Sequence, residues 1–191
     1  VHSILKATQT LSGEVQLPRL LENMLRIVLE NAGAQRGVFL KCAGTDCVIQ
    51  VHGTIDHIAG ILEARPMEEA EDLPLAVLRY VSSSREPLVF DNLSKDQVYA
   101  RDSYVQQHQP LSVVCAPLLK QGELIGLIYL ENNAVEGAFT PARLEVLNML
   151  SAQIAISIEN AELYENLEEK VQQRTAELQQ ANEELEKSRA A

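Results

Sequence analysis

The sequence predicts an α+β domain, an antiparallel five- to six-stranded sheet flanked by helices, followed by one long C-terminal helix with coiled-coil spacing. Three observations predict it. Leu20, Leu21, Met24, Leu25, Val28 and Leu29 recur at helical spacing near the N-terminus. Residues 112–119 and 124–130 are two strand-like runs joined by the short turn Lys120-Gln121-Gly122-Glu123. Residues 142–191 contain neither glycine nor proline, so nothing there stops a helix.

Taken in order, residues 2–11 read as a first helix with Ile4, Leu5, Thr8 and Leu11 on one side, closed by Ser12-Gly13. A second helix runs from about Leu17 to Ala32 and ends at Gly33. Gly37–Cys42 and Cys47–His52 alternate sides and read as a hairpin around Ala43-Gly44-Thr45-Asp46. Residues 53–72 carry no clear period and receive no assignment. Asp72-Leu73-Pro74 opens a helix carrying Leu75, Val77, Leu78 and Val81, which ends at the triple serine 82–84. A short strand at 87–90 precedes the turn Asp91-Asn92, and 93–110 is polar, with Tyr99, Arg101, Asp102 and Tyr104 embedded in it.

The last helix is marked at its start by Thr140, whose hydroxyl suits a cap, and by Pro141, whose missing N–H costs nothing at the first helical position. Leu144, Leu147, Ile154 and Ile158 form one face, while Val146, Leu150, Ala152 and Ile156 widen the apolar surface. A helix apolar on more than one side needs two partners, read here as this chain's own sheet and a second copy of the helix. After that the seam narrows: Tyr164, Val171, Leu178 and Leu185 recur every seven residues, with Leu167 and Ala181 between them. That is two-stranded coiled-coil spacing, with poor positions at Arg174 and Ser188. The alternative is a solvated charged helix.

The net charge of −11 argues against nucleic acid, whose phosphates require a basic surface. No run approaches the roughly 18 apolar residues of a membrane span, and no signal peptide is evident, so a cytoplasmic chain is expected. Starting without Met and ending in mid-heptad, it reads as a piece of a longer protein. Cys42 and Cys47 face each other across the predicted hairpin; free thiols are the expected state in a reducing compartment, with a disulfide as the alternative. Neither paired CxxC motifs nor a histidine pair at ligand spacing supports a metal site.

Cys115-Ala116-Pro117-Leu118-Leu119, the run Gly122 to Asn132, Phe139-Thr140 and the run Leu150 to Ala161 together resemble a GAF domain over residues 1–164. The resemblance implies a GAF-like, PAS-related fold with a sensory role. Leu167-Glu168-Glu169-Lys170-Val171, Arg174-Thr175-Ala176-Glu177-Leu178 and Asn182-Glu183-Glu184-Leu185 resemble the signalling helix that leads into bacterial histidine kinases, here 165–191. The pair most resembles the large multi-sensor kinases of bacteria, as do residues 105–110 and 139–147.

By position, the resemblance places a small-molecule pocket on the sheet face walled by His52, Asp91, Tyr99, Arg101, Tyr104, His108 and Cys115. An Arg, two Tyr and a His combine flat apolar faces with fixed donors, which suits an anionic or aromatic ligand. The plainer reading is an exposed loop whose tyrosines cap the core and whose Arg101 pairs with Asp102. Cyclic-nucleotide-binding relatives carry an Asn-Lys, Phe, Asp-Glu set; Asn132-Asn133 and Phe139 fit the first parts, but Arg143-Leu144 stands where Asp-Glu belongs. Bilin-binding relatives need a Cys before the loop histidine, and His108 has none. One histidine is thin support for haem.

None of His2, His52, His57 or His108 lies in a His-Glu run suited to phosphotransfer, no glycine-rich phosphate loop occurs, and no nucleophilic triad has motif spacing. The cysteine cluster of methionine-sulfoxide-reductase GAF enzymes is missing too. The expectation is therefore a non-catalytic sensory and dimerisation module without a fixed cofactor, though an unidentified small-molecule ligand stays open. Its homodimer would form through Leu150, Tyr164, Leu167, Val171, Leu178 and Leu185, and its signal would pass to an ATP-dependent histidine kinase domain later in the parent chain. The alternatives are a structural spacer with no ligand, or a ligand-binding regulator of a different output domain.

Overall fold

The computed structural model describes residues 2–189, and the side chains of residues 17–58 and 65–189. In chain order the elements are α1 (His2–Ala32), β1 (Arg36–Ala43), β2 (Asp46–Thr54), β3 (Ile58–Pro66), a 3-10 turn (Met67–Glu69), α2 (Leu75–Ser84), β4 (Leu88–Phe90), a second 3-10 turn (Leu93–Lys95), α3 (Ser103–His108), β5 (Ser112–Lys120), β6 (Glu123–Asn132) and α4 (Pro141–Arg189). The six strands form one sheet in the order β3-β2-β1-β6-β5-β4, antiparallel throughout. This is the predicted α+β layered fold, with a long closing helix.

Strand alternation gives the sheet two apolar faces. On one, Phe39, Ile128 and Leu130 meet Leu21, Leu25 and Leu29 of α1, and Gly37 admits Leu25 and Leu29 against the backbone. A crevice of about 10 Å³ between Leu21, Met24, Leu25, Val28, Phe39, Ile128 and Ile154 marks where α1, the sheet and α4 come together. On the other face, Val38, Leu40, Ile49, Val113, Leu127 and Tyr129 share one core with Leu73, Val77, Leu78 and Val81 around α2 and with Leu93, Tyr104 and Val105 around α3. The β5–β6 hairpin closes on Gln121 and Gly122, both at positive φ (49° and 84°), the conformation that suits the twist of a two-residue hairpin turn.

Four expectations need correction. Residues 2–32 form one helix that passes through Gly13 and Pro18, where two were expected. Glycine costs a helix only about 1 kcal/mol and proline about 3 kcal/mol, which the burial of Leu21, Leu25, Val28 and Leu29 outweighs. The predicted face of Ile4, Leu5, Thr8 and Leu11 lies outside the described side chains. Residues 58–66, left unassigned, form β3 at the sheet edge, where one ladder and a bulge replace a clear alternation. Part of the polar run 93–110 folds into α3. Cys42 and Cys47, expected as thiols, are joined in a disulfide, because the register sets them directly opposite each other at a Cα–Cα distance of 4.1 Å.

The chain divides into two units, Val1–Ile156 and Ser157–Ala191. In the first, Thr140 caps α4 through its hydroxyl and carbonyl, Leu147, Ile154 and Ala155 are buried, and Met149 and Ile156 are exposed. In the second, Leu163, Tyr164, Leu167, Val171, Leu178 and Leu185 are all exposed. Among the described residues, no helix is long and apolar enough to cross a membrane.

Candidate functional site

The polar centre of the domain grows from the two middle strands. Arg36 opens β1 and Glu131 is the last but one residue of β6, and the ladder sets them opposite each other, with Tyr129 two residues earlier on the same face of β6. Asp102 supplies the third component: one carboxylate oxygen accepts the Tyr104 N–H at 2.9 Å and starts α3, while the other accepts the Ala76 N–H at 3.0 Å at the start of α2. The cap turns the Tyr104 side chain onto the sheet.

Glu131 is 3% exposed, and a buried carboxylate requires partners. Its Oε2 accepts the Tyr104 hydroxyl at 2.8 Å and the Tyr129 hydroxyl at 2.7 Å, and Arg36 lies 3.6 Å away. Asn133 donates to its Oε1. Arg36 also donates to the Tyr104 oxygen at 3.2 Å, sits 5.9 Å from the centre of its ring, and reaches the Asp72 carbonyl at 2.8 Å and carboxylate at 3.1 Å. Arg65 holds the other Asp72 carboxylate oxygen at 2.6 Å. Two arginines thus balance two carboxylates.

The electrostatics follow from this arrangement. Burial pushes the Asp72 carboxyl up, but the hydrogen bond from Arg65 and the charges of Arg65 and Arg36 outweigh it, and the net pKa is lowered. Burial, then the Glu131 charge, holds Tyr104 and Tyr129 above the ordinary phenol range. The Cys115 thiol is likewise pushed up by complete burial.

The residues predicted to wall a pocket are only partly brought together. Tyr104 and His108 stack, with ring centres 4.4 Å apart and planes 22° from parallel, and the His108 Nδ1 lies 3.1 Å from the Tyr104 carbonyl oxygen. Tyr99 packs edge-on against Phe90 at 5.4 Å. Cys115 lies fully within the core, in register with Leu88 and Tyr129. His52 is exposed in β2 opposite Val38. Asp91 is exposed after β4, and its carbonyl accepts from Gly137 and Ser112. Arg101 is exposed beside Asp102, whose carboxylate serves the two helix starts instead of the expected pair with Arg101.

Sequence reasoning missed Arg36, Arg65, Asp72 and Glu131. One signal was available: Glu131 continues an apolar strand at the same parity as Leu127 and Tyr129, so it had to point inward. Leu73, Leu93, Tyr104, Val105 and Tyr129 pack together in the core on this face. An open cleft of about 440 Å³ lies elsewhere, lined by Glu68, Glu69, Ala70, Glu71, Leu75, Ser103 and Gln107, and includes none of the predicted wall residues. The Asn132, Asn133, Phe139 and Arg143 set has structural duties: Asn132 donates to the Gly33 carbonyl at 2.8 Å, Asn133 accepts the Leu111 N–H at 2.9 Å, Phe139 is buried, and Arg143 donates to the Ala138 carbonyl at 2.7 Å. Among the described residues no three His, Cys, Asp or Glu side chains converge as metal ligands.

The chain is 40% identical over 90 residues, 47% of its length and 3% of the relative's, to hybrid signal transduction histidine kinase G of Dictyostelium discoideum. It is 26% identical over 171 residues, 87% of its length and 7% of the relative's, to the peroxide stress-activated histidine kinase mak3 of Schizosaccharomyces pombe. The chain thus spans only a small part of these kinases. Among solved structures it shares its fold with the GAF domain of a two-component sensor histidine kinase from Bacillus halodurans, at a TM-score of 0.55 and 18% identity, covering 78% of this chain and 97% of that one. The GAF domain model matches residues 16–158, three quarters of the chain, and with the sheet order and flanking helices described above it places the protein in a known family: the chain belongs to the GAF domain family.

Proposed function

We propose that this chain is the sensory and dimerisation module of a two-component signal transduction histidine kinase, with a GAF sensory domain at 1–164 and a signalling helix at 165–191. The observation that carries the reading is the apolar seam of α4: Tyr164, Leu167, Val171, Leu178 and Leu185, between 59% and 70% exposed in the single chain, follow heptad spacing. Such a seam calls for a second helix of the same kind. Histidine kinase relatives support a kinase domain as the output in the parent chain. The proposed parent is a cytoplasmic multi-sensor kinase of the type found in bacteria, and its relatives reach into Dictyostelium discoideum and Schizosaccharomyces pombe.

In this mechanism a signal at the sheet face or its loops alters the packing of the first turns of α4, and the parallel coiled coil carries the change onward. Arg174, a poor seam position, leaves room for two helix arrangements. The test inserts one residue beside Val171 in the parent kinase and measures autophosphorylation. The insertion rotates every later seam position by about 100° and should abolish or lock the output. Unchanged output would exclude the relay.

A second reading, a dimerising spacer with no ligand, is favoured by the core side chains that pack together on the sheet face. Thermal shift of the purified chain against cyclic nucleotides, haem and bilins separates the two, since a ligand bound only to the folded state raises its melting temperature.

A further inference from the structure

We propose that Cys42 and Cys47 form a reversible thiol–disulfide site, exchanging with small-molecule thiol and disulfide couples and controlling the order of the β1–β2 hairpin and the segment packed beneath it. Neither cysteine is itself a member of the Tyr104–Glu131 network, and the proposal does not depend on the signalling reading. Its argument starts from the register. Cys42 and Cys47 are direct ladder partners, flanked by the pairs Lys41 with Val48 and Ala43 with Asp46, so the hairpin holds them together whether or not the bond exists. Because the bond closes a loop of only four intervening residues, it removes little freedom from the unfolded chain. The cross-link is therefore a weak staple, and its loss leaves the fold in place.

Position gives the bond both access and consequence. Residues 43–46 at the hairpin tip are all exposed, while Cys42 and Cys47 are 6% and 5% exposed just behind them. Fraying of the tip alone uncovers the sulfurs. On their inner side both cysteines belong to the core that includes Met67, Ala70 and Leu73. Two separate thiols need more room there than one bond, so reduction loosens residues 67–73, the segment that carries Asp72 and its contacts with two arginines. Cys115 supplies an internal contrast: it is fully buried in the central sheet, and burial raises its thiol pKa, which keeps it unreactive.

The exchange balances in two steps. A thiolate of the couple attacks one Sγ, forms a mixed disulfide and displaces the other cysteine as a thiolate, which takes up a proton. A second thiol of the couple then attacks its partner sulfur in the mixed disulfide and releases the remaining cysteine. The protein gains two electrons and two protons, and the couple is oxidised to its disulfide.

The test equilibrates the purified chain with reduced and oxidised dithiothreitol in defined ratios, without denaturant. Thiols are trapped with a maleimide and counted by mass spectrometry, and amide hydrogen exchange is followed in each state. Reduction should add two labels per chain in a single two-electron transition, reverse on adding the oxidised reagent, leave Cys115 unlabelled and keep the far-ultraviolet circular dichroism unchanged. Exchange should quicken about tenfold at 40–49 and 67–73 and stay constant in β5 and β6. The double variant C42S/C47S should exchange like the reduced protein in every buffer. Labelling that appears only in denaturant, or identical exchange in both redox states of the unaltered chain, overturns the proposal even if the variant fails to fold.

Discussion

The Tyr104 hydroxyl meets the Glu131 carboxylate at 2.8 Å, tying a helix that precedes β5 to the last inward-facing residue of β6. The contact lies on the sheet face where the sequence suggested a pocket. Its removal should be felt in stability. Tyr104→Phe takes one hydrogen bond from a buried charge and should cost about 1.5 to 3 kcal/mol. Urea denaturation checks this: the midpoint should fall while the slope stays unchanged.

The two buried phenols should resist ionisation. Tyr104 and Tyr129 are held above the ordinary range, first by burial and then by the Glu131 charge. A raised pKa in the folded state means that this contribution to stability is complete below about pH 10 and is lost as pH rises beyond it. Absorbance at 295 nm should therefore show these two of the five tyrosines ionising only as the protein unfolds. A smooth titration of all five in the folded protein would contradict the burial.

Asp72 governs the acid side. Although burial works in the opposite direction, Arg65 and Arg36 lower its folded pKa below the 3.8 of a free aspartate. The depressed value stabilises the fold above about pH 4, and this stability is lost as pH falls through the folded pKa. The gap in urea midpoint between the native chain and Asp72→Asn should be constant from pH 5 to 7 and shrink below pH 4. A gap independent of pH would rule out the ion pairs.

Gly33 ends α1 at a φ of +69°, and a methyl group there would lie 2.6 Å from the Arg143 guanidinium carbon. Gly33→Ala would strain the backbone and push Arg143 off the Ala138 carbonyl. The expected loss is about 1 to 3 kcal/mol, read as a lower melting temperature.

The seam of α4 should govern self-association. Leu178→Glu places a charge in the middle of the heptad seam and should weaken the proposed dimer about tenfold or more by sedimentation equilibrium. Val98→Lys, at a 73% exposed apolar residue outside the seam, should leave association unchanged. Equal association of both variants with the native chain would remove the coiled coil.

The long periodic elements were legible because their signals are local. β5 and β6 announced themselves through runs of Val, Ile and Leu, and α4 through its freedom from glycine and proline. β3 was not legible, since an edge strand needs only one ladder and its residues show little alternation. The site was harder still. Arg36, Arg65, Asp72, Tyr104 and Glu131 are spread over ninety-five residues and converge only through strand order, which no short window contains. Asp102 and Arg101 show the same limit: neighbours in sequence suggested an ion pair, but the starts of α2 and α3 took the carboxylate.

The brevity of β4 bears on how these molecules behave when crowded. Its ladder with β5 covers only Leu88 to Phe90, so residues 116–119 of β5 run on past its end and form a border, unpaired on the side away from β6 by any strand among the described residues, where an intruding strand from a neighbouring molecule would add. Pro117 lies in that border without an N–H to offer, and Arg85 reaches across the nearby turn to the Gly122 carbonyl at 2.6 Å. Fibril-like growth through this margin is thereby discouraged.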